Sequence, residues 1–154
     1  MKVLVVYDSV SPMKLTAKIA ETIAEVLKEK GIDVDLLYVR DVDKAAIKNY
    51  DCLIAGAPTM ALRVSSAMRQ FLDGLPRKGF SGKLAAAFDT QMQSRFSGNA
   101  AKGIEGKLRD MGFKVIAAPL VAYVERKMNE YHLKDGELDK TKDWSQTVAE
   151  TLSK

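Results

Sequence analysis

Short apolar runs with strand character alternate with helical patterns along the whole chain, and that alternation limits the fold more than any other feature. Lys2–Tyr7 is β-rich and almost continuously apolar. Leu15, Ile19, Ile23, Val26 and Leu27 then recur at helical spacing, and Gly31 follows Lys28-Glu29-Lys30 as a C-cap. Asp33–Val39 alternates and reads as a strand nearer an edge. Asp51–Ala55 is a third strand, after a short helical or irregular piece around Asp43–Asn49. A helix from about Ser65 to Gly74 turns Met68, Phe71 and Leu72 inward, and Pro76, Gly79 and Gly82 punctuate the return to a fourth strand, Leu84–Phe88. Ala101, Ile104, Leu108 and Met111 form the next helical stripe, closed by Gly112. Phe113–Ala117 is the fifth strand, and Asp139 opens a last helix through Trp144, Val148 and Leu152.

Strands that are apolar on both faces are buried on both faces, which implies a parallel sheet covered by helices on each side. Right-handed crossovers then give a doubly wound α/β domain with five parallel strands in the order 2-1-3-4-5. A single domain over residues 1–154 is expected, because a chain of this length that is 47% hydrophobic can bury a core of its own. In this architecture ligands bind outside the carboxyl ends of the strands, beside the point where the strand order reverses.

Several function classes fall away on composition. No apolar run approaches the roughly 18–20 residues of a membrane span, and the opening run meets Asp8 too soon for a signal peptide. One cysteine, Cys52, excludes an internal disulfide framework, so a reducing, cytoplasmic compartment is expected. The net charge of +4 is interspersed rather than gathered into a basic block. No basic–aromatic alternation of the kind used by nucleic-acid modules appears, so neither nucleic acid nor membrane is expected as a partner. His132 has no second histidine or cysteine near it in sequence and is read as a surface or packed residue rather than a metal ligand. Cys52 lacks an arginine six positions later, as a phosphate-binding cysteine loop of tyrosine-phosphatase type needs. Ala55-Gly56 stands where a phospho-acceptor aspartate would close the third strand.

Three loops share the ligand-binding rim. The first follows Tyr7: Asp8-Ser9-Val10-Ser11-Pro12-Met13-Lys14-Leu15-Thr16. The second is Gly56-Ala57-Pro58-Thr59-Met60, and the third runs from Asp89 and Thr90 to Gly98. With Thr16-Ala17-Lys18-Ile19-Ala20-Glu21, Phe71-Leu72-Asp73, Ala87-Phe88-Asp89-Thr90 and Asp135-Gly136-Glu137-Leu138 before Trp144, nearly the whole chain resembles a flavodoxin. That resemblance implies noncovalent flavin mononucleotide (FMN), held by the three rim loops, and electron transfer through its ring to redox partner proteins. It implies no proton-transfer catalyst. The residues it assigns to the cofactor are Ser9, Ser11, Met13, Lys14 and Thr16 at the phosphate, and Pro58, Thr59 and Met60 at the ribityl chain and ring edge. Asp89, Thr90, Phe96 and Gly98 are assigned beside the pyrimidine edge.

The first loop departs from the family's short Ser/Thr-rich turn ending Gly-Asn-Thr. It is longer, has no glycine to adopt positive φ, and loses an amide donor at Pro12. Read for structure alone, Ser11-Pro12 is an N-cap followed by proline at the first helical position, and Ser97 caps the helix after the third loop. Arg63 and Arg95 place positive charge on a rim that is usually acidic in flavodoxins. Two other functions therefore stay open at this level: a flavin-free binding module on the same fold, and an FMN-dependent reductase of quinones or other small molecules.

Overall fold

The computed structural model describes residues 1–10, 14–60, 63–93 and 98–154. β1 (Lys2–Tyr7) is central: Val3, Leu4, Val5 and Val6 are all at most 1% exposed. α1 (Leu15–Glu29) buries the stripe Thr16, Ala17, Ile19, Ala20, Ile23, Ala24, Val26 and Leu27. It ends where Gly31 takes φ 81°, and the Gly31 and Ile32 amides bond back to the Lys28 and Leu27 carbonyls. Those two bonds are the Schellman pattern that only a residue tolerant of positive φ closes easily.

β2 (Asp33–Tyr38) is half-buried, as an edge strand should be. It is followed by β3 (Cys52–Met60), the two-residue β4 (Arg63–Val64), α2 (Ser66–Asp73), β5 (Leu84–Met92) and α3 (Ala100–Asp110). β6 (Lys114–Val115), β7 (Leu120–Lys127), β8 (Glu130–Leu133) and α4 (Glu137–Leu152) complete the chain.

The sheet order is β2-β1-β3-β5-β7-β8, with β4 paired to β3 and β6 to β5. Counting β7 as the fifth strand, this is the expected doubly wound order, parallel throughout. Two additions are antiparallel: β8 against β7, and β4 against the end of β3.

The expected fifth strand at Phe113–Ala117 is corrected. Only Lys114–Val115 pairs there, with Leu84–Ala85, and the main fifth strand is Leu120–Lys127 against Phe88–Met92. Pro119 lacks an N–H for the ladder and sits in the gap between the two segments. β7 and β8 form a hairpin whose turn residues Met128 and Asn129 both have positive φ, 52° and 66°. A turn of that handedness usually advertises itself by glycine, and here it has none. The last helix begins at Glu137, two residues before the expected Asp139. The Glu137 carboxylate is drawn inward by the Tyr123 amide, which donates to its Oε1 at 2.7 Å.

Alternation along the strands divides the core into two layers. Leu4, Val6, Leu53, Ala55, Ala85 and Ala87 face α2 and α3, and Val3, Val5, Cys52, Ile54, Ala86 and Phe88 face α1 and α4. Gly56 stands opposite Phe88 in the β3–β5 register, and a Cβ at Gly56 would overlap the Phe88 ring. Phe88 is fully buried and has nowhere to move. Gly56→Ala should therefore destabilise the fold by about 1–3 kcal/mol, the range for overpacking a dense core. Chemical denaturation reads this directly, and an unchanged midpoint would show that the Phe88 ring can shift.

Candidate functional site

The carboxyl ends of β1, β3 and β5 meet at one rim, and the structure extends two of those strands further than the sequence suggests. β3 runs on through Ala57, Pro58 and Thr59 to Met60, and β5 through Asp89, Thr90 and Gln91 to Met92. Ala57 pairs with Asp89, and Pro58 with Thr90. Asp89 and Thr90 are thus strand residues, 0% and 5% exposed, rather than the start of a loop. Polar side chains at these positions are kept in the sheet because neighbouring helices supply their hydrogen bonds.

On the α1 side, Thr16 Oγ1 and Thr90 Oγ1 lie 2.7 Å apart and are buried. In such a pair one hydroxyl donates to the other, which leaves one O–H free to donate to a ligand. Ser9 Oγ accepts from the Ala17 amide at 3.3 Å, and the first intrahelical bond of α1 is from the Lys18 amide to the Lys14 carbonyl. The Leu15 and Thr16 amides precede that bond, and among the described residues they have no acceptor. No acidic residue stands in this first turn to repel an anion.

Lys14 occupies the N-cap position with φ 51° and ψ 45°. A left-handed turn, for which the first loop has no glycine, is made by this lysine at a cost of about 1 kcal/mol. Helix dipole, N-terminal amides, hydroxyls and one exposed lysine are a donor set that could hold a phosphate, and these residues fit the phosphate end of FMN. The expectation of Ser11-Pro12 as the helix start is corrected in one respect: α1 begins at Leu15. Ser11, Pro12 and Met13 themselves lie outside the described residues.

On the α3 side, Asp89 Oδ2 accepts from Thr59 Oγ1 at 3.0 Å, Gln91 Nε2 at 2.9 Å and the Ala101 amide at 3.1 Å. Thr59 Oγ1 itself accepts from the Ala100 amide at 2.9 Å. The first turn of α3 is therefore capped from two strands at once. Asn99 completes it, its Oδ1 accepting from the Lys102 amide at 2.9 Å, so the cap is Asn99 where Ser97 was expected. The hydroxyl of Thr59 and the carboxylate of Asp89, both expected at the cofactor, are engaged with α3.

Gly98 immediately precedes this cap at φ 76°. Phe96 and Arg95 fall outside the described residues. Pro58 is buried beside Thr90, the Met60 backbone pairs with Arg63, and the Arg63 side chain is exposed.

The remaining residues singled out in sequence have structural roles. Burial pushes the Cys52 thiol up to about 12, so it stays protonated and inert. Trp144 Nε1 donates to the Ala118 carbonyl at 2.8 Å and packs against the α1–α4 layer. His132 faces Glu130, at 3.6 Å. Among the described residues no group of three His, Cys, Asp or Glu is placed to hold a metal ion, and no helix is long and apolar enough to cross a membrane.

Burial raises the Asp89 carboxyl above its ordinary range, while the donors on it pull the other way. A carboxyl whose folded pKa exceeds its unfolded value binds more protons folded than unfolded between the two. Stability is then lost as pH rises through that interval. Asp89→Asn should remove the penalty, so the variant's Tm should exceed that of wild type at neutral pH and the difference should close at acid pH. Thermal denaturation from acid to neutral pH measures this, and a variant less stable at neutral pH would contradict it.

Comparison with known proteins gives the family. A family model described as NADPH-dependent FMN reductase matches residues 1–127, which include all three rim segments. The flavodoxin of Maridesulfovibrio salexigens is 33% identical over 124 residues, 77% of this chain and 84% of that protein. The flavodoxin of Clostridium beijerinckii is 31% identical over 112 residues, 71% of this chain and 79% of that protein. A solved flavodoxin from the domain Archaea superposes over 100% of both chains with a TM-score of 0.80 at 27% identity.

Proposed function

The chain belongs to the flavodoxin family of FMN-binding electron-transfer proteins, and we propose that its own phosphate site is the N-terminus of α1 together with the Thr16–Thr90 hydroxyl pair. When bound, FMN supplies one- or two-electron chemistry through its ring, and the protein's part is binding, orientation and local charge. The Leu15 and Thr16 amides, the free hydroxyl of the threonine pair and Lys14 hold the phosphate. Ser9 orders the first turn of α1 through the Ala17 amide. Pro58, Thr59 and Met60 at the end of β3, and Thr90 and Gly98 around β5, would border the ribityl chain and ring. Ser11, Met13 and Phe96 belong to the same loops and complete this assignment.

The observation that carries the reading is the buried bond between Thr16 and Thr90 at 2.7 Å. It fixes the anion-binding end of α1 directly over the end of β5, the strand whose loop borders the ring side. The flavin-free alternative rested on the missing glycine of the first loop and on the Pro12 turn; Lys14 adopts a left-handed conformation without a glycine, and Pro12 lies outside the described residues.

Flavodoxins pass electrons to partner proteins. For this chain the net charge of +4 and the exposed Arg63 beside the cleft favour an acidic partner surface.

Titration of the purified protein with FMN and with riboflavin, followed in the flavin absorbance bands, tests the assignment. FMN should bind much more tightly than riboflavin, which lacks the phosphate. Thr16→Val should weaken FMN by about 1.5–3 kcal/mol, the worth of a hydrogen bond to a charged group, and weaken riboflavin much less. Equal affinity for the two flavins would refute phosphate recognition at α1.

A further inference from the structure

The two edges of the sheet are defended differently. β2, at one edge, carries two charges of the same sign, Asp33 and Asp35, which discourage a second strand from adding there. β8, at the other, has no proline, no bulge in its register with β7 and no repeated charge. It reads Glu130-Tyr131-His132-Leu133 and is followed by Lys134.

Which groups of β8 face outward follows from one bond. The Lys134 amide donates to the Tyr123 carbonyl at 3.0 Å, as in a hydrogen-bonded pair of an antiparallel ladder. Such pairs alternate along a strand, so the register puts His132 with Glu125, and Glu130 with Lys127, in the same class. Tyr131 and Leu133 fall between them and turn their N–H and C=O groups away from β7. Among the described residues nothing bonds to those groups. Apolar surface accompanies them: Tyr131 is 44% exposed, and Met128 at the tip of the same hairpin is 96% exposed.

We propose that β8 pairs with β8 of a second copy of this chain, antiparallel about a twofold axis at His132, and joins the two sheets into one. In that register Tyr131 stands opposite Leu133 of the second copy, and the outward N–H and C=O groups of both residues are satisfied by backbone bonds. His132 meets its own copy at the axis. Glu130 stands opposite Lys134 of the second copy, so both ends of the pairing bring unlike charges together. Lys134 Nζ already donates to Gln93 Oε1, and Glu130 Oε2 faces His132. Each keeps capacity for the new partner, because an ammonium has three protons to donate and a carboxylate two oxygens. Sliding the register by two residues in either direction loses the match of Glu130 with Lys134. A contact built on so short a strand is small, so the dimer is weak and reversible.

Sedimentation equilibrium over a range of protein concentrations tests the contact on wild type, Glu130→Lys, Lys134→Glu and the double charge swap. Circular dichroism of each protein shows that the fold is kept. Wild type should dimerise reversibly. Each single variant sets like charges against each other at both ends and should weaken the dimer by about tenfold or more. The double variant restores unlike pairs and should recover wild-type dimerisation to within about threefold, although it lacks the Lys134–Gln93 bond just as Lys134→Glu does. Tyr131→Pro removes an outward N–H and no bond to β7, so the hairpin should stay paired while the dimer is lost. Wild type that stays monomeric up to about 1 mM overturns the proposal. Single variants that dimerise as wild type does, or a double variant no stronger than the singles, overturn the register. A Tyr131→Pro protein that dimerises normally overturns strand addition at this edge.

Discussion

Two neighbouring residues of one strand moor the helices on both sides of the sheet. Side chains of β5 alternate between faces, so Thr90 reaches Thr16 at the head of α1 while Asp89 reaches the amides at the head of α3. Each helix brings unsatisfied N–H groups to the rim, and a parallel sheet places all its carboxyl ends there. The polar end of β5 is thus the common anchor for α1, α3 and, through Thr59, the end of β3.

The core of the fold was legible because it is apolar and periodic. Val3–Val6, the α1 stripe, and Met68, Phe71 and Leu72 of α2 all lie where hydrophobic spacing puts them. The rim was harder for a related reason. Asp89, Thr90 and Gln91 are polar, and in sequence a polar run after an apolar strand marks the strand's end. In three dimensions they stay in the sheet because Ala101, Thr59 and Thr16 satisfy them, and those partners are far away along the chain. The β7–β8 hairpin was missed because its turn is made by Met128 and Asn129 with positive φ and no glycine. The residues of the site were named largely from family resemblance. What they bond to emerged only from the structure, and Thr59 and Asp89 prove to be committed to α3 first.

The turn into α1 departs in sequence from the glycine-containing turn of the family, and the proposed phosphate site is compatible with that departure. Without glycine, the turn into α1 is carried by Lys14 in the left-handed region. The strain is modest, and the residue that bears it also brings a positive charge to the helix N-terminus, where an anion is favoured. In the proposed site a lysine there would serve both the turn and the ligand, whereas a glycine would serve the turn alone.

The claim on which the account depends is that a phosphate sits on the N-terminus of α1 as a dianion. Phosphorus NMR of the FMN complex tests it most directly. A free phosphate monoester takes up its second proton near about pH 6. Held by the α1 amides, the threonine pair and Lys14, the bound phosphate should remain a dianion, with a resonance that does not move as pH is lowered through that range. A bound FMN signal that titrates like free FMN would contradict the account, because the phosphate would then lie in solvent and the ring alone would hold the cofactor.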